Sequence, residues 1–146
     1  MKKLLAIALC LVAPVAHGQE LSDPTLVGEL MAFHGTKAIV SAMTTHCYET
    51  TGLDPAYKDA YSNWYLRNIG FLDLADRVVI TLGGEEGNGK QNAETYGGTQ
   101  IMTAYNQAAD KEVFCRGFLA SVDSGALDLD KQLPDVLKRA QAIAAK

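Results

Sequence analysis

The chain has 146 residues, 48 % of them hydrophobic and 21 % charged, with a net charge of −4 at pH 7. That is the size and balance of one ordinary globular domain with a sizeable core, and not of a disordered or fibrous chain. A mildly acidic chain without clustered basic charge argues against nucleic acid as a partner, and it has no basic amphipathic helix for an anionic membrane surface.

Residues 1–18, MKKLLAIALCLVAPVAHG, have the layout of a secretory signal peptide. Lys2 and Lys3 form a positive start and Leu4 to Ala13 an apolar run of ten. Pro14 then precedes the small-x-small triplet Ala16-His17-Gly18, which places cleavage before Gln19. The run is too short for a membrane span, which needs roughly 20 residues. Cys10 follows Leu9, where lipoprotein processing wants a small residue, so it is expected to leave with the signal. Removing 18 of the 146 residues leaves 128, and with them go two of the 13 basic and none of the 17 acidic residues, which takes the net charge from −4 to −6. The expected location is periplasmic or secreted, with residues 19–146 forming a single helical domain and no later stretch long enough to span a bilayer.

Four helices are expected in chain order. Ser22-Asp23-Pro24 supplies a cap and a first-turn proline for the first helix, and Gly52 stops it. Asp54-Pro55 starts the second, which Gly83-Gly84 ends. The segment 83–98, GGEEGNGKQNAETYGG, reads as a long connecting loop. The third helix begins near Gly98-Thr99 and ends before Gly125, and the fourth runs from about Pro134 to Ala145, with Lys138 and Arg139 in its second half. Helical periodicity supports each of them. On the second helix, Tyr57, Tyr61, Trp64, Phe71, Leu72, Ala75, Val78, Val79 and Leu82 share one arc. "RVVITL" (77–82) is rich in β-branched residues, but it continues that helical phase and is read as helix. The fold class expected is all-α: a four-helix up-down-type bundle.

Two cysteines survive cleavage, Cys47 and Cys115. In an oxidising compartment a lone pair is most simply a disulfide, and no Cys-x-x-Cys or activating neighbourhood argues for a working thiol. Both lie on apolar arcs and in the later halves of the first and third predicted helices, so both belong at one end of the bundle. The bridge closes a loop of nearly seventy residues, for which chain entropy gives about 4 kcal/mol.

Motifs for chemistry are sparse. "GEEGNGK" followed by Gln91 approaches a phosphate-binding loop. It lacks the final hydroxyl for magnesium, and Glu85 and Glu86 would repel phosphate. The alternating ligands of a calcium loop are absent too. His34 and His46 are about 120° apart around one helix, so they cannot share a metal, and both are expected at the surface. No Ser sits in a Gly-x-Ser-x-Gly elbow. No catalytic residue, metal or cofactor is expected.

The candidate binding residues are of two kinds. Tyr57, Tyr61, Trp64 and Tyr65 form an aromatic series that is either the opening of the core or a ligand surface, with Tyr65 at the exposed edge of the arc. Lys37, Asn68 and Glu112 are polar residues within apolar arcs. Their depths along the bundle place Lys37 level with Asn68 and Glu112 level with Thr44, which allows a polar pocket between helices, because buried polar groups must be paired; the preferred reading is that Lys37 and Glu112 instead extend their charged ends to the rim.

Residues 114–125, FCRGFLASVDSG, resemble the Cys-x-Gly-aromatic-Leu helix of small secreted proteins of the Rap1a/Tai immunity type. The resemblance covers a dozen residues and implies a second reading, an inhibitor or immunity-like protein that masks a partner in the periplasm. The first reading is a non-catalytic interaction or binding protein of the cell envelope, with an envelope or periplasmic protein as partner. A third is a small-molecule binder that uses the aromatic cluster.

Overall fold

The computed structural model describes residues 23–84 and 86–146. The expected signal peptide and its cleavage site lie outside the described residues. Among the described residues there is no strand. Six helices follow one another: α1 (Pro24–Thr50), α2 (Pro55–Thr81), α3 (Glu86–Gln107), α4 (Lys111–Asp123), the single turn α5 (Leu129–Gln132) and α6 (Pro134–Ala144).

The helix starts follow the local chemistry read from the sequence. Asp23 accepts from the Leu26 amide at 2.9 Å and Asp54 from the Ala56 amide at 3.0 Å, each ahead of a first-turn proline. The stops are glycines with positive φ: Gly52, Gly83 and Gly125. At Gly125 (φ 73°) the Ala126 amide reaches back to the Ser121 carbonyl and the Gly125 amide to that of Val122, which satisfies carbonyls left over at the end of α4.

Contacts along the helices fix their directions. Lys58 lies over the Tyr48 ring and His34 meets Asp76, so α2 runs antiparallel to α1. Met31 lies by Gly89, Gly35 by Ala93 and Gly97, and His46 by Tyr105, so α3 runs parallel to α1. Cys47 bonds Cys115 near the far end of α1, while Asp23 and Glu29 pair with Arg139 near its start. Hence α4, α5 and α6 together form one broken rod antiparallel to α1. The molecule is an up-down bundle of four rods, the last made of three pieces.

Two boundaries differ from expectation. The segment 83–98 is a loop only at its start, for α3 begins at Glu86. The expected helix 98–125 is cut in two. Asp110 accepts from the Val113 amide at 2.9 Å and caps a new helix, which turns the chain back on itself. The disulfide therefore does not join the first rod to the third. It joins α1 to the fourth rod, at the fifth residue of α4 rather than in the later half of a long helix. Both cysteines still end up at one end of the bundle.

The core lies between the rods. Leu26, Leu30, Phe33, Val40 and Met43 from α1 meet Trp64, Ala75, Val78 and Val79 from α2 and Val122, Leu129 and Ala140 from the last rod, all fully or almost fully buried. Burial of each large apolar side chain contributes on the order of 1.5–3 kcal/mol. "RVVITL" is helical, with Val78 and Val79 inside.

Candidate functional site

Four helix ends converge around the Cys47–Cys115 bridge, whose Cα atoms are 5.7 Å apart. They are the last residues of α1, the first turn of α2, the end of α3 and the start of α4. Between them opens a cleft of about 480 Å³ lined by Thr50, Thr51, Asp54, Tyr57, Tyr105, Lys111, Glu112 and Arg116.

The aromatic wall is held from behind. The Tyr105 ring packs edge-on against His46, with centroids 4.4 Å apart, and against Phe114 at 5.7 Å. Lys111 Nζ sits 5.3 Å from the Tyr105 centroid and donates to the carbonyls of Asn106 (2.8 Å) and Ala108 (2.6 Å), closing the end of α3. Thr50 and Thr51 turn their hydroxyls onto the carbonyls of His46 and Cys47. Arg116 donates to Glu112 one turn away, and both are largely exposed, so the pair contributes little to stability. Tyr57 is 4 % exposed and lines the cleft, yet its hydroxyl makes no hydrogen bond to any described residue. The hydroxyl is not among the buried unpaired side-chain atoms of the described residues, so it opens onto the cleft.

The candidate residues named from sequence are dispersed by the fold. Tyr57 and Glu112 share the cleft. Trp64 is fully buried core and donates Nε1–H to the Leu127 carbonyl at 2.9 Å. Tyr61 and Tyr65 are half-buried with ring centroids 6.0 Å apart, and Tyr61 lines a second groove of about 340 Å³ with Tyr48 and Lys58.

The polar pocket considered between helices is not formed, and Glu112 lies exposed at the rim as the preferred reading had it. Lys37 does not meet Asn68. It points to α3 and donates to Glu94 at 2.8 Å, a hydrogen bond that raises its ammonium above the ordinary lysine value against the opposing effect of burial. Asn68 faces the other way, into the last rod. There its Nδ2 donates to the Trp64 carbonyl (2.8 Å) and Asp128 Oδ1 (3.1 Å), and its Oδ1 accepts from the Leu129 amide (2.7 Å). Glu112 does not bond Thr44, whose hydroxyl donates instead to the Val40 carbonyl at 2.6 Å. The separation follows from the break at Asp110, which moves Glu112 onto an exposed face of α4.

Of the two histidines expected at the surface, His34 is buried and His46 is partly buried. His34 is 2 % exposed and its Nε2 lies 2.5 Å from Asp76 Oδ1, while Lys90 reaches the other oxygen at 3.3 Å. His34 Nδ1 and His46 Nε2 are buried and make no hydrogen bond among the described residues. Asp76 takes His34 Nε2, and no hydroxyl or thiol among the described residues bonds the remaining nitrogen Nδ1, as a nucleophile activated by that base would. Among the described residues no group of three His, Cys, Asp or Glu side chains is placed to hold a metal ion, and no helix is long and apolar enough to cross a membrane.

Sequence reasoning missed Asp54, Tyr105, Lys111 and Arg116. For Tyr105, Lys111 and Arg116 the signal was Asp110 followed by Lys-Glu, a capping residue with no proline after it, whereas Asp54 was read only as a helix cap. No protein family's model matches the chain, and neither a curated protein nor a solved structure matches it.

Proposed function

We propose that the chain is an exported, non-catalytic binding protein of the cell envelope that takes its ligand in the cleft at the bridged end. The observation that carries this reading is the cleft itself. It is large enough for a small ligand, is walled by four helix ends and a covalent crosslink, and is lined by a buried tyrosine whose hydroxyl has no internal partner. A signal-like N-terminus and a buried disulfide are consistent with an oxidising compartment.

The inhibitor or immunity-like reading draws on the same wall. Arg116 belongs to the stretch that carries the resemblance, and it lines the cleft. In that case the occupant is a polar segment of a partner protein.

The test is titration of protein purified from the periplasm with fractionated periplasmic extract, followed by backbone amide shifts. Shifts clustered on Thr50–Tyr57, Tyr105 and Lys111–Arg116 are expected. Activity in the dialysable fraction favours a small ligand, and activity in the retained fraction favours a masked partner. Shifts confined to the Tyr48–Tyr61 groove would overturn the assignment.

A further inference from the structure

We infer that the ligand is a small zwitterion carrying both a carboxylate and an ammonium group, such as a free amino acid or dipeptide. The inference rests on the binding reading above and adds the chemistry of the occupant.

The cleft is lined by two cations, Lys111 and Arg116, and two carboxylates, Asp54 and Glu112. Their formal charges cancel. Glu112 and Arg116 are paired with each other along α4, whereas Lys111 and Asp54 form no ion pair with any described residue. Two of the three Lys111 ammonium protons are given to main-chain carbonyls, and the third has no acceptor among the described residues. Asp54 spends Oδ1 on the Ala56 amide, and its other oxygen has no donor among the described residues. The cleft therefore offers one free positive donor, one free negative acceptor and the neutral Tyr57 hydroxyl.

Other occupants match this set less well. A phosphate-like dianion enters a cleft with as many carboxylates as cations in its lining. A neutral sugar leaves Lys111 and Asp54 covered without a counter-charge, which costs free energy. A zwitterion answers each in turn, its carboxylate on Lys111 and the Tyr57 hydroxyl and its ammonium on Asp54. The first amides of α4, Lys111 and Glu112, are unpaired and add partial positive charge on the carboxylate side. The partly exposed Tyr105 ring is left to pack against the ligand's carbon atoms. A volume of about 480 Å³ accommodates a dipeptide. Lys111 is already fixed by two carbonyls and a ring, so it loses little freedom on binding.

The test is calorimetric titration of the oxidised protein with alanylalanine, its N-acetyl derivative, its C-terminal amide and free alanine, with amide shifts read in parallel. Alanylalanine or alanine is expected to bind in a saturable manner and to move the resonances of Tyr57, Tyr105 and Lys111. The tighter of the two identifies the ligand as dipeptide or amino acid. Blocking either charged end is expected to weaken binding at least about tenfold, because each removes a charge-assisted hydrogen bond. Tyr57→Phe keeps the ring and is expected to weaken binding at least about tenfold, the worth of one hydrogen bond to a charged carboxylate. Lys111→Met is expected to weaken it further, and Leu66→Ala, on the exposed face of α2, to leave it unchanged. Blocked and unblocked forms binding alike would overturn the inference. If neither alanine nor alanylalanine moves the cleft while the periplasmic fraction does, the inference fails and the binding reading stands. If nothing moves the cleft, both fail.

Discussion

Asn68 has no exposed surface and uses both donors and its acceptor inside the protein. Its partner Asp128 also accepts from Arg67, at 3.1 Å to Nε and 3.0 Å to Nη2, while the same Nη2 donates to the Val122 carbonyl at 2.8 Å. This network ties the irregular stretch between α4 and α5 to α2. Asn68→Leu is nearly isosteric and would strand the Leu129 amide and loosen Asp128. A loss of about 2–4 kcal/mol is expected in urea unfolding, since unpaired buried polar groups cost about 1–3 kcal/mol each. Asp128 also makes a pH prediction. Burial pushes its carboxyl up, but hydrogen bonds from Arg67 and Asn68 and the nearby Arg67 and Lys131 charges outweigh burial and hold it below the ordinary aspartate value. A native carboxyl held below its unfolded value adds stability above that value, about 3.9, and loses it as pH falls through the native one. The stability gap between wild type and Asp128→Asn is therefore expected to be full at pH 6 and to close below about pH 4, as read by thermal melts. A gap constant down to pH 2.5 would refute the pairing.

At the scale of elements, α3 shows what sequence punctuation conceals. Glycines at 83, 84, 87, 89, 97 and 98 made this segment look like a loop, and each glycine inside a helix does cost about 1 kcal/mol relative to alanine. Packing against α1 overrides that cost. A methyl group on Gly97 would overlap the Gly35 backbone, whereas one on Gly98 would meet nothing within 4 Å. Two adjacent alanine substitutions should then have opposite signs. Gly98→Ala is expected to raise stability by up to about 1 kcal/mol through helix propensity. Gly97→Ala is expected to lower it by about 1–3 kcal/mol, because the two helices must move apart. Chemical unfolding of both variants checks the pair, and equal effects would mean that α1 and α3 do not touch there. The long helices α1 and α2 were legible because caps, prolines and stops agreed with the apolar period. The break at Asp110 was not, because Ala108-Ala109-Asp110 carries no residue that forbids a continuous helix. From that one miss follow the misplacement of Glu112 and the oversight of Tyr105 and Lys111. His34 was unreadable for another reason: its partner Asp76 lies 42 residues away, on a different helix.

For the molecule as a whole, the disulfide decides whether the fourth rod is held in place. It spans 68 residues of sequence, for which the unfolded-chain argument gives about 4 kcal/mol. A domain of this size is stable by only about 5–15 kcal/mol, so reduction removes a large share of the total. The loss should not fall evenly. The lower part of the last rod is held by the buried Val136, Leu137 and Ala140 of α6, and its middle by the Asn68–Asp128 network. The start of α4 is held by the bridge, by the Phe114 ring on Tyr105 and by the buried Phe118 side chain. Opening the bridge is therefore expected to release α4 first and to abolish the cleft before the bundle unfolds. The double variant Cys47→Ala with Cys115→Ala tests this without reductant. Its urea midpoint should correspond to a loss of up to about 4 kcal/mol. Hydrogen exchange should speed up at residues 111–118 while the Asn68–Leu129 region stays protected. Unreduced wild-type protein should take up no alkylating label on either sulfur. Uniform acceleration across α2 and α4 would mean that the fourth rod is held by its packing alone, and the cleft would then not depend on the crosslink.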